Sequence, residues 1–220
     1  MSWHRESGPG SRRSYHHGNL REALIKAALD LIAEKGPAGF TFAEAARAAG
    51  VSPAAPYRHY RDRDALMADI ARRGFEAFEA ALTTSWNKGQ PDVHSAFDRL
   101  GHAYLDFARR EPAQFSAMFE SSLSVSAFPD LHSAGERAFN VLRDACAALI
   151  ETMPSAKRPP VMMMALHVWS LSHGIASLFA RGDSARRPIP MTPEDLLDAA
   201  MLIYLDGLGG RKGEGGRGNL

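Results

Sequence analysis

Cysteine is almost missing from this chain: Cys146 stands alone among 220 residues. A single thiol excludes an internal disulfide and a Cys-rich metal site, and it suits a reducing, cytoplasmic setting. Strand-type alternation of apolar and polar residues is essentially absent, which points away from sheet folds. No clean membrane-length apolar run occurs either. The nearest, 161–180, contains His167, Trp169, Ser170, Ser172, His173, Gly174 and Ser177, and it reads as a buried helix. The first residues are polar and basic, without the apolar stretch of a signal peptide. No nucleophile elbow, phosphate loop or metal-spaced cluster is present, so the chain is not expected to be an enzyme. His16 and His17 are adjacent and lack further ligands, so no metal and no cofactor is expected.

What is there is an ordinary globular composition with an uneven charge distribution. Residues 1–75 carry 12 Lys/Arg against 8 Asp/Glu, with four His; residues 76–220 carry 14 against 17. The basic end is the natural candidate for contact with a polyanion. Residues 1–17 are rich in Ser, Gly, Arg and His and read as a flexible basic arm, and 209–220 as a disordered Gly-rich tail. Between them the pattern is helical throughout, predicting an all-α fold of about nine helices.

The first helix opens at Asn19 and shows Leu20, Leu24, Ala27, Ala28, Leu31 and Ile32 on one stripe before Gly36 and Pro37 stop it. Thr41 and Glu44 have capping-box spacing and open a short second helix ending near Ala49. Gly50 permits a sharp turn, and Ser52 followed by Pro53 opens a third helix to about His59. Asp62 caps a long fourth helix reaching about Trp86. Further helices are expected at about 93–105, after Pro112, at 131–153, at 161–180 and at 196–208.

Two short helices joined by a Gly-containing turn form a helix-turn-helix, whose second helix enters the major groove. Helical spacing turns Pro56 and Tyr60 inward, leaving Ala54, Ala55, Tyr57 and Arg58 outward. Small residues let the backbone approach the bases, and Arg58 can read guanine through a bidentate contact. Thr41 and Ser52 sit at helix N-termini that favour a phosphate, and Tyr57, His59 and Arg63 are placed for backbone contact. Pro56 lacks a donor that the first turn of the third helix would use, so distortion is expected there.

Residues 15–70 resemble the N-terminal domain of the TetR/AcrR family of transcriptional regulators. The resemblance rests on Tyr15, His16, His17, Gly18, Asn19 and Leu20 before the first helix, and on Ala48, Ala49, Gly50, Val51, Ser52 and Pro53 at the turn. Tyr57, Arg58, His59 and Tyr60 follow, then Asp64, Ala65 and Leu66. It implies that Thr41, Tyr57, His59 and Arg63 touch phosphates while Ser52, Ala54, Ala55 and Arg58 lie near bases. It also implies a homodimer formed through the last two helices, about 160–181 and 193–208, packed as a four-helix bundle. The organisation expected is an arm (1–17), a helix-turn-helix domain (18–65), a helical effector-binding and dimerisation domain (66–208) and a tail (209–220).

Trp169, His173 and Gly174 resemble a Trp-His-Gly signature of one C-terminal domain type in that family. With Phe107, Phe115, Met118, Phe119 and Met164, Trp169 and His173 form a candidate apolar effector pocket with one polar anchor. Two roles fit His173: a ligand anchor, or a core residue bonded to a backbone carbonyl beside a close helix contact at Gly174. The second is favoured. Met162, Met163 and Met164 point three ways from one helix and suit core and dimer packing. The function expected is a regulator, of which repression is the commoner family role, that binds a palindromic DNA operator as a homodimer and is released by a small apolar or amphipathic effector. The alternative is a regulator or architectural DNA-binding protein with no small-molecule ligand.

Overall fold

A computed structural model describes residues 20–180 and 189–210. Among them are eight α-helices and no strand: α1 (Leu20–Lys35), α2 (Phe42–Ala48), α3 (Arg63–Trp86), α4 (Val93–Arg110), α5 (Pro112–Phe119), α6 (Pro129–Glu151), α7 (Val161–Ala180) and α8 (Pro193–Gly210). The basic arm, the Asn19 cap and residues 211–220 lie outside the described residues.

Local chemistry sets most helix ends. The Gly36 N–H donates to the Ile32 carbonyl at 2.8 Å, with φ at +78°, a conformation that costs a side-chain-bearing residue energy. Thr41 accepts from the Glu44 N–H while Glu44 Oε2 accepts from the Thr41 N–H at 2.7 Å, the reciprocal pair its spacing predicted. Asp62 and Asp92 cap α3 and α4 by accepting from the Ala65 and Ser95 N–H groups. The last helix begins at Pro193 instead of 196, because Thr192 accepts from the Asp195 N–H and Pro193 occupies the first turn, where its missing donor costs nothing.

The third expected helix is where structure and sequence reading part. Residues Ala55–Arg58 form a single 3-10 turn, not an α-helix over 53–59. Pro56 has no N–H to give the Ser52 carbonyl, which accepts from Ala55 instead at 3.0 Å, and the His59 N–H closes on the Pro56 carbonyl at 2.9 Å. Ser52 consequently does not cap this turn with its side chain.

Two main apolar cores result, with a small third cluster of Ala68, Ala71 and Leu131. The first joins Leu24, Ala28 and Ile32 of α1 to Phe40, Ala45, Tyr60, Leu66 and Ile70, and takes in Ala117 of α5. The second fills the space among α3, α4, α5, α6, α7 and α8. Helix α3, 24 residues and roughly 36 Å long, passes from the first core at its start to the second in its later turns. Helix α7 is apolar and long enough to cross a membrane by composition, but its inward side, including Met164, Ala165 and Val168, is buried in the second core.

Candidate DNA-contacting face and apolar cavity

The 3-10 turn divides its residues cleanly. Pro56 and Tyr60 are buried, whereas Tyr57, Arg58 and His59 are exposed, Tyr57 at 63%. Thr41, Ser52 and Ala54 are exposed beside them and Ala55 is half-buried. Tyr57 is not loose: its ring meets Phe42 edge-on at 5.1 Å, which fixes the direction of its hydroxyl. Arg63 has a different local role. Its Nε donates to the Phe40 carbonyl at 2.9 Å, its Nη2 donates to the Pro37 carbonyl, and its guanidinium lies 4.6 Å from the centre of the Phe40 ring. It therefore braces the α1–α2 connection, and its Nη1 lies 3.5 Å from Asp64 Oδ1.

Behind the exposed turn sits a buried clasp that the sequence reading missed. Asp69, 7% exposed, accepts from the Tyr60 hydroxyl at 2.7 Å, from Arg21 at 3.0 Å and from Arg72 at 2.7 Å. Burial pushes its carboxyl up, but the hydrogen bonds from Arg72 and Tyr60 and the charges of Arg21 and Arg73 outweigh that and hold it below the usual carboxylate value. Arg73 grips Glu22 of α1 with two bonds of 2.7 and 2.8 Å. Three segments are thus pinned to one another: the start of α1, the end of the exposed turn and the first third of α3. The only signal in the sequence was an acidic residue on the inward stripe of α3, between Leu66 and Ile70.

The second core holds a cavity of about 690 Å³ between α3, α4, α5, α6, α7 and α8. Of the seven residues expected to line it, Met118, Phe119 and Trp169 do; Phe107, Phe115, Met164 and His173 do not. Phe107 lies one turn beyond the lining positions of α4 and packs on Phe78 at 5.0 Å; Phe115 is buried against Phe119 and His173; Met164 is fully buried. The wall comes instead from residues such as Phe75, Phe78, Phe97, Tyr104, Phe139 and Leu197.

His173 is half-buried, and its partner is other than the one expected. Its Nδ1 is 3.0 Å from the Tyr104 hydroxyl, not bonded to a backbone carbonyl, and Gly174 faces open space instead of a close helix. Burial lowers the imidazole's affinity for a proton, so His173 is neutral near pH 7.

Outside this core, Met162, Met163, Leu166 and Leu178 of α7 and Leu202 and Ile203 of α8 are exposed, the last at 72%. Six large apolar side chains on two neighbouring helices form more exposed apolar surface than an isolated subunit ordinarily carries.

Comparison with known proteins agrees with this geometry. Residues 24–70 match the family model described as bacterial regulatory proteins, tetR family, and residues 97–203 match that of the tetracyclin repressor-like C-terminal domain. The chain is 28% identical over 100 residues to YobS, an uncharacterized HTH-type transcriptional regulator of Bacillus subtilis (strain 168); the match covers 46% of this chain and 51% of that one. It thus spans about half the length of this curated relative. A solved protein with unknown function from Rhodococcus sp. RHA1 superposes with a TM-score of 0.72 at 27% identity, covering 89% of this chain and 98% of its own. The TetR family transcriptional regulator PfmR from Thermus thermophilus superposes at 0.66 with 21% identity, covering 83% and 97%, which speaks for the fold alone.

Proposed function

The chain belongs to the TetR family of bacterial transcriptional regulators, and from that premise we propose that it is a cytoplasmic repressor that binds a palindromic operator as a homodimer and leaves it when a small molecule fills the cavity. The observation that carries this reading is the exposed row Tyr57, Arg58 and His59 on a turn whose other residues, Pro56 and Tyr60, are locked into the core. Side chains that are exposed, cationic or hydrogen-bonding, and rigidly based are what a major groove requires. Arg58 reads a base edge; Thr41, Tyr57, His59 and Arg63 meet phosphates; Ser52, Ala54 and Ala55 keep the backbone close to the groove.

One such turn contacts only a half-site, so a second copy is needed, with the two readers about 34–36 Å apart. The exposed apolar faces of α7 and α8 supply the contact, in a division where 18–65 reads DNA and 66–208 dimerises and senses. Release follows from linkage. A ligand that binds one spacing of the readers better than the other shifts operator affinity by that difference in binding free energy.

The test is fluorescence anisotropy on the DNA upstream of the chain's own gene against a scrambled duplex, across a salt series. A preference of about 10³-fold that survives moderate salt is expected. Arg58→Ala should remove about 1–3 kcal/mol of the discrimination at one base position in each half-site, without changing the urea midpoint. If that duplex and fragments selected from the genome bind no better than scrambled DNA, and with the same salt sensitivity, operator reading is refuted.

A further inference from the structure

The charge pattern around the cavity selects among effectors, and this inference rests on the effector role proposed above. The interior is a nest of aromatic faces: Phe78, Phe97, Phe119, Tyr104 and Trp169 all contribute. A volume of about 690 Å³ accommodates a drug-sized molecule. His173 lies outside the lining, and the imidazole that belongs to it, His132, faces Glu136 at 3.6 Å. Where its lining reaches solvent on α4 and α8, it carries two exposed carboxylates, Asp98 and Asp198. Burial, and then the nearby charge of Asp198, push the Asp98 carboxyl above its usual value, so the pair is electrostatically uneasy when the cavity is empty. Asp198 reaches His102 Nε2 at 2.8 Å; among the described residues Asp98 has no ion pair. Glu136 adds a third acid on the α6 side, and Arg143, the one arginine of the lining, is 3.2 Å from Asp144.

An anion entering this space meets carboxylates at the mouth and the negative faces of rings within. A cation is attracted by both. We infer that the cavity takes a lipophilic cation, its apolar body against the aromatic wall and its charge at the Asp98–Asp198 mouth, and that it discriminates against hydrophobic carboxylates.

The experiment uses the full chain and three probes: tetraphenylphosphonium, tetraphenylborate and uncharged N-phenyl-1-naphthylamine. Titration calorimetry gives affinities, and quenching of indole fluorescence reports occupancy beside Trp169. The two ions present the same four phenyl rings with opposite charge. The phosphonium should bind about tenfold or more tightly than the borate, and the ratio should fall about fivefold in an Asp98→Asn, Asp198→Asn double variant. Both carboxylates are exposed in the free chain, so the variant is expected to fold, and circular dichroism checks it. Binding of the naphthylamine with equal affinity for the two ions, or a preference for the borate, overturns cation selection while leaving the effector pocket standing. A double variant that keeps the full ratio also overturns it, since the mouth would then not be its source. If none of the three probes binds, the pocket reading itself falls and this inference with it.

Discussion

Replacing Asp69 with Ala tests how the DNA-reading turn is held. The substitution removes the only carboxylate that pairs with Tyr60, Arg21 and Arg72 at once. Breaking a fully buried ion pair costs about 3–5 kcal/mol, and leaving a buried hydroxyl without an acceptor costs about 1–3. The arginine side chains are 50%, 25% and 29% exposed for Arg21, Arg72 and Arg73, so they can turn to water and the first figure must be discounted. Tyr60 is 5% exposed and cannot. The hydroxyl cost therefore dominates, and about 2–3 kcal/mol is expected in urea unfolding at pH 7. Asp69→Asn should cost about half as much, because the amide oxygen can still accept from Tyr60. The sign with pH follows from the lowered carboxyl of the folded state. The difference between parent and variant is full above about pH 4, where an unfolded Asp ionises, and shrinks as pH falls through the lower folded-state value. Operator affinity should fall as well, since the exposed turn ends at Tyr60. A loss below about 0.5 kcal/mol at pH 7, or a difference unchanged to about pH 2, would show that the clasp is incidental.

Thr41→Ala should destabilise by about 1 kcal/mol in urea unfolding through the lost cap of α2. Its partner Glu44 is held down to about 2 by the Thr41 N–H, then by Lys35 and the Thr41 hydroxyl. The cap's ionic part is accordingly complete above about pH 4.5 and disappears toward pH 2, and Glu44→Gln should flatten that portion of the stability profile. Cys146 is fully buried, and burial pushes its thiol up to about 12, so a disulfide reagent at about pH 8 should label no thiol in the native chain and one in urea. Rapid native labelling would mean that the second core opens readily. Ile203→Glu places a charge on the exposed apolar face of α8 and should halve the mass measured by light scattering, leaving the helical content intact. An unchanged mass would place the dimer contact elsewhere.

Helix ends governed by neighbours along the chain were legible in the sequence. Thr41 with Glu44, Gly36 and Asp62 each act within four residues, and each performs as its residue type and spacing require. The recognition turn was legible in its location and in its inward pair, Pro56 and Tyr60. Its 3-10 winding was signalled only as an expected distortion, because how far a missing donor spreads depends on the bonds that replace it. The Asp69 clasp joins positions 48 and 9 residues apart, a pairing no helical period encodes. The cavity was half legible for a related reason. Periodicity says which side chains face inward, as for Phe107 and Phe115, but a void is what remains after helices pack, and that is a property of six helices together.

The same helix that carries the clasp also carries the cavity wall, and the proposed release depends on this. Asp69, Arg72 and Arg73 bind the first third of α3 to α1 and Tyr60, so that end moves with the reader as one body. Phe75, Phe78 and Leu82, farther along, face the cavity. On its other flank, Glu76 and Glu79 are tethered to Arg137 of α6 at 3.8 and 3.0 Å, pairs exposed enough to yield at little cost. A ligand that presses on Phe78 therefore meets a helix held at its reader end by a buried polar clasp and at its sensor end by apolar packing and exposed ion pairs. A helix of roughly 36 Å tilted by about 6° displaces one end by about 4 Å relative to the other, a shift comparable with one base-pair step along the groove. Arg137→Ala should then loosen the sensor end alone. Measured by anisotropy, operator affinity without effector should change less than about threefold, while the effector concentration needed for release falls. An Arg137→Ala chain that loses operator binding outright, with its fold intact, would put the ion pair in the reader's support and refute this division of the helix.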